Sequence, residues 1–315
     1  MTPLRIGISS CLLGDEVRFD GGHKRDPFLA GTLGPFVEWV RVCPEVEVGM
    51  GVPRETLRLV KVDGDTRMIT TRTGMDHTDA MRAFARRRTS ELEALDLRGY
   101  VLKTDSPSCG MERVKVYAGT SAPVRSGVGI YAGVLKERFP SLPIEEEGRL
   151  QDPVLRENFI ERVFAYDRLR ALFDRRWTVN HLIAFHTAHK MALLAHSTAG
   201  YRELGRLVAV ARDQPRAVLR QRYEHLFMDT LSHPATRARH TNVLMHVAGH
   251  LKKRLDGEAR RDLADCIDDY RRALVPLIVP LTLLRHYVRV HRVAYLAGQT
   301  YLEPHPPELM LRNHV

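Results

Sequence analysis

Two patterns of apolar and polar positions divide this chain. Over roughly the first 148 residues, short apolar runs alternate with helical periods. Leu4-Arg5-Ile6-Gly7-Ile8, Val37–Val42 and Tyr100-Val101-Leu102-Lys103 read as buried strands, and Val114–Tyr117 as a further short one. Residues 57–70 alternate about Asp63-Gly64, a two-residue turn signal, and predict a β-hairpin. Asp76–Leu95 has a helical period: Met81, Phe84, Ala85, Leu92 and Leu95 recur on one side, with Arg82 and Arg86-Arg87-Arg88 largely on the other. Phe28–Val40 is expected to be helical before a strand that ends at Cys43, and Gly127–Phe139 completes the unit as a helix. Strands alternating with helices predict an α/β domain, a Rossmann-like parallel sheet with helices on both faces. Pro140–Gly148, with Glu145-Glu146-Glu147, reads as a linker. Helical periods follow at about 153–173, 178–197, 215–231, 235–254, 257–273 and 280–297, which predicts an all-α domain. The expected division is therefore 1–148 and 149–315. Prolines extend the segment Gln299–Pro307, which should pack back on a helix.

A hydrophobic fraction of 44% over 315 residues suffices for a real core. No apolar run approaches the roughly 20 residues of a bilayer span. No basic n-region with a cleavage site precedes the first strand, so the expectation is a cytoplasmic protein with no membrane contact. Charge sharpens the division. Residues 1–150 hold 22 Lys/Arg against 21 Asp/Glu, a balance of +1, whereas residues 151–315 hold 26 against 17, a balance of +9. The second part also carries 13 of the 15 histidines. Such asymmetry points to a polyanion, nucleic acid first, although a solubilising basic surface has the same sign. No obligate protein partner is evident.

Four cysteines do not make a disulfide scaffold at this length. Cys11, Cys43 and Cys109 each lie just past a predicted strand, where open α/β sheets bind ligands, and are 32 and 66 residues apart. Thiolates suit zinc, copper(I) or an iron–sulfur cluster. The chain has neither Cys-x-x-Cys nor a ferredoxin run, and buried cysteine is also an ordinary small hydrophobe. Three protein thiolates on a cubane would leave one iron open, the property of a Lewis-acid centre. Cys266, inside an amphipathic period, reads as core packing. Glu45, two residues after Cys43, is a candidate general base or acid. Ser106, in Asp105-Ser106-Pro107-Ser108-Cys109-Gly110, is a candidate for orienting water or substrate. A solvated loop glutamate and a turn-capping serine are the plain alternatives. In the helical half, His186, His189 and Lys190 share a face at i, i+3 and i+4, and Lys252-Lys253-Arg254 add positive charge. Phosphate contact through His186, Lys190, Lys252, Lys253 and Arg254 is preferred to zinc, with histidine packing in partly buried helices as the alternative.

Ile8-Ser9-Ser10-Cys11-Leu12-Leu13-Gly14, Val42-Cys43-Pro44-Glu45 and Ser106-Pro107-Ser108-Cys109-Gly110 together resemble the thiouracil desulfidase family. The helical half, with Phe185-His186-Thr187-Ala188-His189-Lys190 and Tyr301-Leu302-Glu303-Pro304, resembles the domain fused to it in tRNA 4-thiouridine desulfidases. The resemblance implies a 4Fe-4S cluster held by Cys11, Cys43 and Cys109, with the fourth iron free of protein ligands. It implies a hydrolytic, non-redox removal of sulfur as sulfide, with Glu45 and Ser106 in proton transfer and in orienting substrate or water. It implies tRNA as partner and 4-thiouridine as the thio-base. A desulfidase of free thiouracil or thionucleoside, and a non-catalytic RNA-binding or redox-sensing iron–sulfur protein, stay open at this point.

Overall fold

In the computed structural model, residues 4–119 and 122–314 are described. The chain separates into two packed units, residues 1–151 and 152–315.

The first unit is built on strand β1 (Leu4–Ser9), which has parallel neighbours on both sides: β2 (Val37–Val42) and β5 (Gly99–Leu102). β8 (Ile144–Glu146) adds to β5, also parallel, for a sheet ordered β2-β1-β5-β8. Ile6, Ile8, Tyr100, Val101 and Leu102 are buried, as expected of a parallel strand covered on both faces. Each such aliphatic side chain contributes roughly 1.5–3 kcal/mol by leaving water. Of the helices, α1 is a single turn (Pro44–Glu47), while α2 (Thr78–Ala94) and α3 (Ile130–Arg138) are longer. Tyr131 of α3 carries the packing across the layers. It meets Phe84 of α2 at 6.2 Å between ring centroids and shares a 3.1 Å hydroxyl hydrogen bond with Tyr100 of β5.

The expected hairpin is β3 (Leu57–Val62) with β4 (Asp65–Thr70), turning at Asp63 and Gly64, both at positive φ. It belongs to a second, mixed sheet, β4-β3-β6-β7, with β6 at Val114–Tyr117 and β7 at Val124–Gly127. Two expectations are corrected here. Only a π-helical turn at Phe28–Leu33 and a 3-10 turn at Gly34–Phe36 precede β2, because Gly34-Pro35 ends the coil early. The start of the Gly127–Phe139 segment is strand end and loop rather than helix.

The expected linker is also corrected, because it contains β8. Glu145 and Glu146 are buried, and their carboxylates are used locally. Glu145 bonds Arg149 at 2.7 Å, and Glu146 accepts from the Met111 amide at 2.7 Å. Glu147 accepts from the Thr104 amide at 2.7 Å and pairs with Lys103. An acidic run that looks solvated in sequence thus ties down the two ends of the loop between Lys103 and Met111.

The second unit is helical: α4 (Pro153–Phe173), α5 (Val179–His196), α6 (Thr198–Ala209), α7 (Arg216–Ser232), α8 (Arg237–Leu251), α9 (Gly257–Arg271), α10 (Ile278–Val290) and α11 (Ala294–Ala297). Side chains set the starts. Asp152 accepts from the amides of Val154 and Leu155 ahead of Pro153, and Thr178, Ser197, Thr236 and Asp256 cap α5, α6, α8 and α9. The sequence pattern did not predict α6. Its Gly200 and Gly205 weaken the helical signal, and Leu204 and Leu207 make a narrow apolar stripe. The tail after α11 packs on α5: the Thr300 amide donates to Ala188 O at 2.9 Å, and Gln299 bridges Thr187 and Met191. Among the described residues no helix is long and apolar enough to cross a membrane.

Candidate active site

Three strand ends meet a single cavity of about 370 Å³. Cys11 follows β1, Cys43 follows β2, and Cys109 lies in the loop after β5, so three adjacent parallel strands each deliver one thiol at the carboxyl edge. β1 passes the chain to β2 on one side and has β5 on the other. A crevice at such a point is where open α/β sheets bind ligands. Cys11 and Cys109 are buried and Cys43 half-buried, and none is in a disulfide.

The loop that carries Cys109 is fixed by its own backbone and by the start of α3. Ser106 Oγ accepts from the amides of Ser108 and Cys109 at 3.3 and 3.1 Å. The amides of Ile130 and Ala132 donate to the carbonyls of Pro107 and Ser108, both at 3.1 Å. Gly129 has to be glycine at this contact: a Cβ there would lie 2.4 Å from Ser108 O.

Glu45 sits in the same cavity with a complete set of partners. Ser108 Oγ donates to its Oε1 at 2.5 Å and Ser106 Oγ to the same oxygen at 3.4 Å. Arg54 pairs with Oε2, and the Arg54 side chain is only 6% exposed. Ser108, itself fully buried, also points at Cys109 Sγ, 3.7 Å away. Sequence reasoning singled out Glu45 and Ser106 but missed Arg54 and Ser108. The signal for Ser108 was its place inside the cysteine motif. Arg54 gave no signal beyond its nearness in the chain to Glu45. Lys103, which lines the cavity and pairs with Glu147, was likewise passed over.

Burial dominates the thiols. It pushes Cys11 up to about 11, with Lys103 acting the other way, and raises Cys43 and Cys109 as well. Cys43 Sγ lies 3.8 Å from Val17 O, as a thiol donor would. These groups are protonated and inert toward solvent unless a cation compensates their thiolates. Among the described residues, no three or more His, Cys, Asp or Glu side chains converge to hold a single metal ion. The donor set is all sulfur, spread around a cavity. That suits a soft centre larger than one atom and does not suit a carboxylate-loving hard cation.

The family model for 2-thiouracil desulfurase matches residues 6–147, which contain all three cysteines, Glu45, Arg54, Ser106 and Ser108. Uncharacterized protein YbbK of Bacillus subtilis (strain 168) is 30% identical over 138 residues, 42% of this chain and 89% of that protein. The chain belongs to the 2-thiouracil desulfurase family. A second family model, a protein of unknown function (DUF1722), matches residues 190–306 of this desulfurase-family chain. Uncharacterized protein YbgA of Escherichia coli (strain K12) is 39% identical over 153 residues, 48% of this chain and 90% of that protein. A solved structure of TudS, a [4Fe-4S]-dependent thiouracil desulfidase, is 28% identical, covers 47% of this chain and 94% of that one, and has a TM-score of 0.39.

The residues expected to touch RNA are dispersed. Lys252, Lys253 and Arg254 are exposed just beyond the end of α8, and Lys190 is half-buried on α5. His186 is corrected: it is 3% exposed, its Nδ1 is 3.3 Å from the Tyr223 hydroxyl, and burial lowers it to about 4 with Lys190 adding to the effect. Its ring is a neutral packing group with no open face for a phosphate. His189 stacks on Phe185 at 4.0 Å and is buried as well.

Proposed function

We propose that this protein removes sulfur hydrolytically from a thiolated uridine in tRNA, 4-thiouridine to uridine, and releases sulfide. Residues 1–148 would carry the chemistry and 149–315 the tRNA binding. The observation that supports it most is the meeting of three thiols with Glu45 and Ser106 in one cavity, with the buried Ser108 hydroxyl donating to Glu45 from behind. The donor set fits a 4Fe-4S cluster on Cys11, Cys43 and Cys109. Bound there, the cluster would supply an open, soft Lewis acid for a thiocarbonyl sulfur.

The chain's own groups do the rest. Water adds its oxygen to the ring carbon, the carbon–sulfur bond breaks, and both water protons end on sulfur as hydrogen sulfide, so no electrons are exchanged. Glu45 would accept a proton from that water. Arg54 holds one carboxylate oxygen, which orients the other toward the serines. Ser106 and Ser108 donate to Glu45 as the cavity stands, and Ser106, which lines it, can turn its hydroxyl to water or substrate. A base in a stacked helix could not reach the cavity, so a tRNA base would enter it unstacked.

The +9 balance of residues 151–315 supports tRNA over a free base, which has no use for it. The test compares reconstituted protein on 4-thiouridine tRNA and on free 4-thiouridine between 50 and 200 mM salt (about the range over which phosphate contacts weaken). Under this reading tRNA turnover has the higher kcat/KM and falls steeply with salt, while nucleoside turnover is flat. Equal kcat/KM and equal salt response would assign the protein to free thiouracil or thionucleoside. Tight tRNA binding with no sulfide from either substrate would make it a binding or sensing protein.

A further inference from the structure

Beside the cysteine cavity lies a second one, of about 280 Å³. The two share Leu57, Asp105 and Pro107 as lining residues, so they adjoin. The second is formed where β3 and β6 run parallel, with Val60 paired to Tyr117. Lys115 and Tyr117 are two apart on β6 and therefore project to the same side of the sheet. The Arg58 guanidinium carbon stands 5.6 Å from the centre of the Tyr117 ring. Arg58 Nε is buried and has no hydrogen-bond partner among the described residues. Asp105, the acidic residue in this lining, is engaged by Arg125 at 2.8 Å. Arg58 and Lys115 make no ion pair among the described residues. None of these groups serves the chemistry of the cysteine cavity.

Two cations and an aromatic face are what a phosphate joined to a base requires. The phosphate answers both charges. The base stacks on the planar ring or on the guanidinium. The cysteine cavity holds a related arrangement, with Arg18, paired to Asp20, 5.3 Å from the Phe19 ring and Lys24 in the wall. We infer that the second cavity is a subsite for the nucleotide next to the one being desulfurised. Arg58 and Lys115 take the linking phosphate, and the neighbouring base lies against the Arg58–Tyr117 pair. The inference rests on the nucleic-acid reading above. It moves part of the recognition of a polynucleotide into the unit that carries the thiols.

The test measures binding of uridine 5′-monophosphate and of the single-stranded di- and trinucleotides of uridine to the reconstituted full-length protein. These ligands carry no sulfur, so binding is read without turnover. The wild type should gain about tenfold in affinity on going from one nucleotide to two, the scale of one stacked base. Tyr117→Ala and Arg58→Ala should cut that gain below about twofold. Lys115→Ala, on an exposed position that tolerates truncation, should lower the salt slope of dinucleotide binding by about one. Arg58→Lys should keep the slope and lose part of the gain. Equal gains in wild type and variants, or no gain in the wild type, would overturn the subsite. Should Arg58→Ala fail to fold, Tyr117→Ala and Lys115→Ala decide the matter. A length-dependent gain that needs Arg58, without sulfide release from thiolated tRNA, would keep the subsite and sink the desulfidase reading. Turnover of thiolated tRNA indifferent to all three alanine variants would do the reverse.

Discussion

In the α/β unit, Cys11, Cys43 and Cys109 are withdrawn from water around an open cavity, and burial raises all three thiols with no ion pair to compensate. The helical unit also has a cavity, of about 340 Å³, lined by Glu157, Glu161 and His196, and there the buried charges answer one another. Arg312 reaches Glu157 at 2.9 Å and Glu161 at 3.4 Å, and His196 Nε2 lies 3.5 Å from Glu161 Oε2. Burial opposes ionisation of Glu161, yet His196 and Arg312 hold its carboxyl below the usual range. His196 Nδ1 is 2.8 Å from the His233 carbonyl, so Nδ1 is the donor there. Buried groups with their partners in place hold a fold together. Buried groups with a cavity and no partner await something. By that distinction the thiols are the candidate site and the Glu–His–Arg cluster is structure.

The comparison breaks most visibly in the first site. Cys109→Ser should abolish iron retention after reconstitution, read by metal analysis, and turnover with it. Glu45→Gln should keep the iron and lower kcat by about a hundred- to ten-thousandfold, the range of a lost general base. If Glu45→Gln also empties the site of iron, Glu45 is holding structure and the assignment of proton transfer fails.

In the helical unit, Arg312→Met leaves two carboxylates buried without their cation and should cost about 3–5 kcal/mol, read as a lower denaturant midpoint. The two tryptophans, Trp39 and Trp177, lie one in each unit, so single-tryptophan variants separate the two transitions. The Trp177 signal should move and the Trp39 signal should not.

The buried histidines also make stability depend on pH. Burial lowers His189 and His240 to about 3, with Arg168 and Arg312 respectively adding to it, and His186 and His305 to about 4. Their unfolded value is about 6.5. Between these limits the unfolded chain binds more protons, so stability falls as pH drops from 6.5 toward 4, and each group contributes at most about 1.4 kcal/mol per pH unit. Above pH 7 the effect is gone. Denaturant melts of the Trp39→Phe variant at pH 7 and pH 5 read it directly. An unchanged midpoint would mean that these rings are solvated. The smallest expected effect is on RNA: Lys252→Ala should reduce the salt slope of tRNA binding by about one, equally for all sequences.

Much of this was legible in the sequence where pattern and physics coincide. The strand runs placed β1, β2 and β5, Asp63-Gly64 placed the hairpin, and the position of each cysteine after a strand anticipated their meeting at one sheet edge. What escaped was set by contacts between distant residues. Pro140–Gly148 reads as a linker, yet Glu145 and Glu146 belong to β8, and the carboxylates of Glu146 and Glu147 find the amides of Met111 and Thr104. Arg54 matters only because its loop returns to Glu45. His186 carried a phosphate-binding look on a helical wheel, but α7 covers that face with Tyr223. In the second sheet the hairpin and β6 were foreseen, but β7 was not, since Val124-Arg125-Ser126-Gly127 has one apolar residue and no alternation.

The central claim is that the three-thiol cavity performs non-redox desulfuration on tRNA. It is tested most directly by mixing protein, reconstituted with iron and sulfide without oxygen, with tRNA that carries 4-thiouridine and following the near-ultraviolet absorbance of the thio-base. The account predicts loss of that absorbance over many turnovers with no added reductant or oxidant, matched by sulfide and absent in Cys109→Ala. Intact absorbance with the iron fully loaded and the tRNA bound would contradict it.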